Sequence, residues 1–201
     1  MIGAIRNLRS DRSGVAAIEF GIIAPVMAMF MMGAGDLLYG SYAQSILLGA
    51  VQKAGRDATL QQNTSSTATT EIDNAVMTMV YSVAPSATFV STRENYTTFS
   101  LVDKPEPFVD SLTTGTIGVR DAGECYTDIN GNSQWDSDGA RSGVGGASDV
   151  AQYTITVTYP RVFPVAGLLG WGTQGSITAQ TLLKNQPYAA QASAAPQTVC
   201  T

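Results

Sequence analysis

Histidine is absent from the 201 residues of this chain. Its absence removes Ser-His-Asp and Cys-His catalysis, HExxH zinc chemistry and imidazole acid–base work, leaving carboxylates, lysine or a hard metal. Charge is scarce as well. Asp, Glu, Lys and Arg make up 13% of the chain, about half the usual ~25%, so some stretch must be strongly apolar. Bases are outnumbered 11 to 16, for a formal net charge of −5, which argues against nucleic acid as a main partner. Cysteine occurs twice, at Cys125 and Cys200, without a CxxC spacing, so a thiol-redox role is not expected. An enzyme is not expected either. What is present is an apolar fraction of 44%, enough to exclude a wholly disordered chain, and a length that suits one or two ordinary domains.

The apolar residues are concentrated near the start. Arg6, Arg9 and Arg12 stand against a lone Asp11, followed by Gly14 and then by VAAIEFGIIAPVMAMFMMGAG, Val15 to Gly35, whose single charge is Glu19. At 1.5 Å per residue a helix of that length crosses the ~30 Å hydrocarbon layer. The arginines precede it and most acids follow it, so the positive-inside rule puts the N-terminus in the cytoplasm and the remainder outside. The alternative is a cleaved secretory signal, but the run exceeds an ordinary apolar core of ~7–15 residues. Glu19 is the exceptional residue, because an acid inside a span is costly and marks function by default. The plainer reading is a first-turn acid tolerated by the helix dipole. Asp36, at the far boundary, reads first as an end marker.

The segment Ser13-Gly14-Val15-Ala16-Ala17-Ile18-Glu19-Phe20 resembles the processing site of type IV prepilins, with Gly at −1 and Glu at +5. Its continuation, with Pro25, Gly33, Gly35-Asp36-Leu37 and Gln52-Lys53-Ala54-Gly55-Arg56-Asp57-Ala58, is similar to the TadE-like pseudopilins of bacterial tight-adherence (Tad) pili. Val15 departs from the Phe or Met common at the first mature position. The resemblance implies a leader, residues 1–14, removed between Gly14 and Val15 by a prepilin peptidase of the inner membrane. It further implies a minor pilin that meets other pilin and pseudopilin subunits and an inner-membrane pilus assembly platform, with its head in the periplasm. Cleavage would create an α-amino group on Val15, and a neighbouring subunit's Glu19 could neutralise it where an unpaired charge is costly.

Beyond Asp36 the apolar positions Leu37, Leu38, Ile46, Leu47, Leu48, Val51 and Ala54 keep a helical period, so one helix is predicted over 15–60. The polar stretch 61–70 reads as a linker. A second helix follows, capped by Thr69 or Thr70 and ending before Pro85. From residue 86 the period changes to two. Residues 87–91 and 96–101 read as a hairpin turned at Arg93-Glu94-Asn95, 150–159 as the clearest strand, and 177–183 as a final one. Between the last two, the apolar loop 162–171 is placed under the sheet, with an exposed contact for another subunit or the membrane as the alternative. The fold class is α+β: a long N-terminal transmembrane and stalk helix followed by an extracytoplasmic head, residues 71–201, that is antiparallel, β-rich and carries one extra helix.

Six acids against one base fall between Asp121 and Asp149. Within that acidic loop, Asp128, Asn130, Asn132, Gln134 and Asp136 occupy positions 1, 3, 5, 7 and 9 of an EF-hand-type loop, oxygen donors that suit Ca²⁺, with Asp138 at 11 substituting for the missing bidentate Glu. The alternative is a metal-free Asx-turn loop. Glu106-Pro107-Phe108-Val109-Asp110 and Glu124-Cys125-Tyr126-Thr127-Asp128 repeat E-x-aromatic-x-D eighteen residues apart, which suggests a degenerate earlier loop. Cys125 and Cys200, outside the membrane, are expected to pair and hold the Ala- and Gln-rich tail. The resulting expectation is a structural pilus subunit. An uncleaved, signal-anchored calcium-binding adhesin or envelope protein is the alternative, and a hydrolase using Asp136 and Asp138 on a metal lacks a nucleophile or second ligand cluster.

Overall fold

The computed structural model describes residues 14–60, 66–111, 116–163, 165–168, 170–185 and 195–200. Residues 1–13, the first half of the stretch read as linker and much of the C-terminal tail lie outside these. The first element is the expected helix: α1 runs unbroken over Val15–Leu60, 46 residues, with Pro25 inside it. Proline removes one intrahelical hydrogen bond, which a span tolerates better than most helices. α2, Ser66–Tyr81, begins within the stretch read as linker. The remaining elements are β1 (Thr88–Tyr96), a 3-10 turn at Phe99–Leu101, β2 (Cys125–Asp128), β3 (Arg141–Ser142), β4 (Val150–Pro160), α3 (Val165–Leu168), β5 (Gln174–Lys184) and β6 (Gln197–Cys200). The class is α+β, a long apolar helix followed by an antiparallel sheet head with a further helix.

The chain divides into two compact units, Met1–Tyr42 with Tyr159–Gly175, and Ala43–Thr158 with Ser176–Thr201. In the first, α1 exposes apolar side chains along most of its length, Ile18, Phe20, Ile22, Phe30 and Met31 among them. Only one side of its last turns in this unit is covered. Tyr39 meets Tyr159 edge to face with ring centroids 5.6 Å apart, Asp36 is ion-paired with Arg161, and a Cβ on Gly35 would stand 2.9 Å from the Phe163 ring. The loop 162–171 is split: Val165 and Ala166 are buried, whereas Val162 and Trp171 are exposed. The expectation of a wholly covered loop therefore fails for its flanks. Pro164 and Leu169 lie outside the described residues.

In the second unit, α1 buries Ala43, Leu47, Ala50, Val51 and Ala54, the i, i+3, i+4 stripe of a helix lying on a core. Gln44 donates from Nε2 to the carbonyl of Thr178 on β5 at 2.8 Å. The four-stranded sheet has the order β3-β1-β4-β5. β1 and β4 pair antiparallel from Thr88↔Thr158 to Tyr96↔Val150, and β4 buries alternate residues, Tyr153, Ile155 and Val157, as period two requires. α2 buries Val76, Met77 and Val80. Its Asp73 accepts from Arg93 of β1 at 2.6 Å, from Ser91 at 2.8 Å and from the Tyr153 hydroxyl of β4 at 2.6 Å.

The expected hairpin is not formed. Arg93-Glu94-Asn95 is the continuation of β1 rather than a turn, paired with β4 throughout, and the side chains of Arg93 and Asn95 find long-range partners. Arg93 goes to Asp73, and Asn95 Nδ2 donates to the carbonyls of Arg141 and Gly143 at 3.0 and 3.1 Å. Residues 99–101 form the 3-10 turn instead of a strand. β5 is not the last strand, since β6 follows and pairs antiparallel with β2 in a second, two-stranded sheet. Gly145, at φ 73°, lets this region close: a Cβ there would lie 2.8 Å from that of Asn95.

Candidate functional site

Residues singled out from the sequence fall at the start of α1 and in the acidic loops. At the start of α1 the Gly14 carbonyl accepts the Ile18 N–H at 3.2 Å, so the Gly14–Val15 bond lies at the mouth of the helix. A Cβ on Gly14 would meet nothing within 4 Å. The fold therefore makes no demand for glycine there. Glu19, one turn on, is exposed among exposed Val15, Ile18 and Phe20 and forms no ion pair among the described residues.

The second place is built from the two E-x-aromatic-x-D segments, which turn out to face each other. Phe108 and Tyr126 form an antiparallel bridge, with Val109 N–H donating to the Cys125 carbonyl at 2.8 Å and Thr127 N–H to that of Pro107 at 2.7 Å. Each glutamate then closes the loop that leaves the other segment. Glu106, fully buried, accepts the Ile129 N–H at 2.7 Å and the Asp136 N–H at 3.2 Å. Glu124, buried too, accepts the Ser111 N–H at 2.7 Å and the Asp121 N–H at 2.9 Å, and these N–H groups hold its pKa below the ordinary carboxylate value. The crossing extends to the rings. Trp135 donates to the Glu106 carbonyl at 2.9 Å and meets Phe108 edge to face at 6.1 Å. Arg120 donates to the Glu124 carbonyl at 3.3 Å and lies over the Tyr126 ring at 4.8 Å.

The proposed donor loop hangs from this pair. Asp128 accepts from Gly131 N–H at 2.7 Å and Ser133 N–H at 2.8 Å. Asn132 N–H donates to Asn130 Oδ1 at 3.1 Å, and Gln134 N–H to Asn132 Oδ1 at 2.7 Å. The side-chain amides of Asn130 and Asn132 both donate to Asp136 Oδ2 at 2.7 Å. Asp128, Asn130, Asn132 and Asp136 are thus brought into one hydrogen-bonded loop, which Gln134 joins through its backbone. Asp138 is turned away, accepting the Tyr96 hydroxyl at 3.1 Å. Among the described residues no three His, Cys, Asp or Glu side chains cluster as metal ligands would.

Below the loops, Cys125 and Cys200 are disulfide-bonded and sit opposite each other in the β2–β6 register, which fastens the tail as expected. Burial first, then the bond to Asp138, raises the Tyr96 pKa. Burial and Asp73 do the same for Tyr153. Sequence reasoning missed Glu106 as a loop support, Asp73 as the hub of α2, and Arg161 as the partner of Asp36. For Glu106 the signal was in hand, since the repeat that contains it was visible.

Residues 14–56 match the family model described as TadE-like protein. The match opens at Gly14 and stays within α1, so none of the head takes part in it. No curated protein and no solved structure matches the chain.

Proposed function

Taking the TadE-like match over α1 as the premise, we propose that this chain is a pseudopilin or minor pilin, a structural subunit for assembly of a tight-adherence pilus. The observation that carries the reading is the first part of α1: it offers apolar side chains to its surroundings almost all the way round and is long enough to cross a membrane. Such a surface is stable only against lipid or against other helices of the same kind. In this reading an inner-membrane prepilin peptidase cuts between Gly14 and Val15, and the head lies in the periplasm. Glu19 then serves assembly, neutralising the new α-amino group of a neighbouring subunit, which costs less than leaving either charge alone among apolar helices.

The test is the mass and N-terminal sequence of the chain purified from a host with its prepilin peptidase and from one without. A start at Val15 only when the peptidase is present supports the reading. A start at Met1 in both overturns it in favour of the uncleaved anchor, and a start beyond Asp36 makes the apolar run a secretory signal.

For the acidic loop the reading is Ca²⁺, held by Asp128, Asn130, Asn132 and Asp136, while Asp138 stays with the Tyr96 hydroxyl and Gln134 takes part through its backbone. What supports it is the convergence of Asp128, Asn130, Asn132 and Asp136 in one loop. Binding would require the two asparagine amides to turn their oxygens inward, exchanging their bonds to Asp136 for the cation. Thermal unfolding of the full chain in detergent checks this: CaCl₂ raises the melting temperature relative to EGTA, whereas Asp128→Asn abolishes the difference. Equal melting in CaCl₂ and EGTA leaves the Asx-turn loop as the answer.

A further inference from the structure

We infer that the β4–β5 connection, residues 161–173, is a collar that seats on the outer leaflet of the membrane around the end of the α1 span. This inference rests on reading α1 as membrane-spanning. The direction of the connection is set by its contacts. Tyr159 lies against Tyr39 and Gly40, Arg161 pairs with Asp36, and Phe163 lies against Gly35. As the chain advances from 159 to 163, its partner on α1 falls from 40 to 35, so this segment runs antiparallel to the helix and heads into the span. Val15 to Gly35 covers about 30 Å at the helical rise, so Gly35 and Asp36 mark the hydrocarbon boundary. Phe163 therefore lies at that boundary.

The loop turns there and returns. Val165 and Ala166 are buried, Trp171 N–H donates to the Ala166 carbonyl at 2.8 Å, and Arg161 N–H donates to the Thr173 carbonyl at 3.0 Å, tying the two limbs together. Immediately beyond that tie stand Val162 and Trp171, 54% and 69% exposed. At the same level α1 exposes Leu37 and Leu38, 70% and 71%. Four large apolar side chains open to solvent at one height, continuous with an apolar span, form a surface that water does not favour and an interface does. Tryptophan is the residue that partitions best at the headgroup level. The charges agree, because the one acid of α1 at this height is neutralised by Arg161, so the surface enters the interface without an unpaired carboxylate.

The experiment uses the full chain reconstituted in phosphatidylethanolamine–phosphatidylglycerol vesicles containing phosphatidylcholine labelled with doxyl near the headgroup end of its acyl chain. Emission of the unaltered protein minus that of Trp171→Phe isolates Trp171 from Trp135. The expected result is loss of most of the Trp171 emission to the lipid label and none to aqueous iodide. Quenching by iodide alone overturns the collar. So does protection from both quenchers that disappears as protein is diluted into lipid, which would mean that a second subunit covers the surface. Flotation of the same vesicles separates the two readings: a chain that floats with an iodide-quenched Trp171 has a span but no collar, whereas a chain that does not float has lost the span reading itself.

Discussion

Asp73 receives three side-chain donors, from Arg93, Ser91 and Tyr153, and so carries the attachment of α2 to the sheet. Arg93 and Asp73 are both mostly buried, so removing the acid takes the acceptor from two hydroxyls and leaves the guanidinium with the Thr69 carbonyl but no counter-charge. Asp73→Ala is expected to cost about 2 kcal/mol in urea unfolding, against about 1 kcal/mol for Tyr153→Phe, which leaves the ion pair intact. A second expectation concerns alkaline pH. Burial and their acidic partners raise the pKa values of Tyr153 and Tyr96, while in the unfolded chain both ionise near pH ~10. Stability is therefore full below that point and falls as pH rises past it. Melting curves between neutral pH and strong alkali should show the fall, and the double variant Tyr96→Phe, Tyr153→Phe should flatten it; an unchanged slope would remove these two phenols as the cause. None of this was legible beforehand. Asp73 reads as an ordinary exposed helix acid until the fold brings β1 and β4 against it, whereas Cys125 and Cys200 could be paired from compartment and count alone.

At the scale of elements, legibility follows the range of the interactions. α1 could be read because a run of twenty-one residues with a single charge, followed by a 3.6-residue stripe, is a local signal. β4 could be read because its alternation is local too. β3, two residues long, and β6, four, have no pattern of their own and exist because Glu94, Asn95 and Cys125 offer partners across the chain. The false hairpin has the same cause: a polar Arg-Glu-Asn run looks like a turn where its partners are invisible. The stripe on α1 gives a direct test. Leu47 is fully buried and Leu48 is 40% exposed, so Leu47→Ala is expected to cost about 3 kcal/mol and Leu48→Ala less than about 1 kcal/mol in the same unfolding assay. Equal effects would mean that α1 lies on the core by a different face.

For the molecule as a whole, the disulfide closes a separation of 75 residues. Replacing both cysteines by alanine is expected to destabilise the chain by about 4 kcal/mol, mainly by freeing the unfolded state, measured as a drop in the denaturant midpoint. Head and tail would then part most readily at β2–β6, a ladder of four residue pairs. Beside that bond stand the crossed glutamates. Because Glu106 closes the loop after Asp128 and Glu124 closes the loop after Asp110, neither loop can open without disturbing the segment that holds the other shut. Their amide protons should therefore keep common time: in hydrogen exchange, Ile129 and Ser111 are released by one opening event, and Glu106→Gln hastens both, although the Ser111 N–H is held by Glu124.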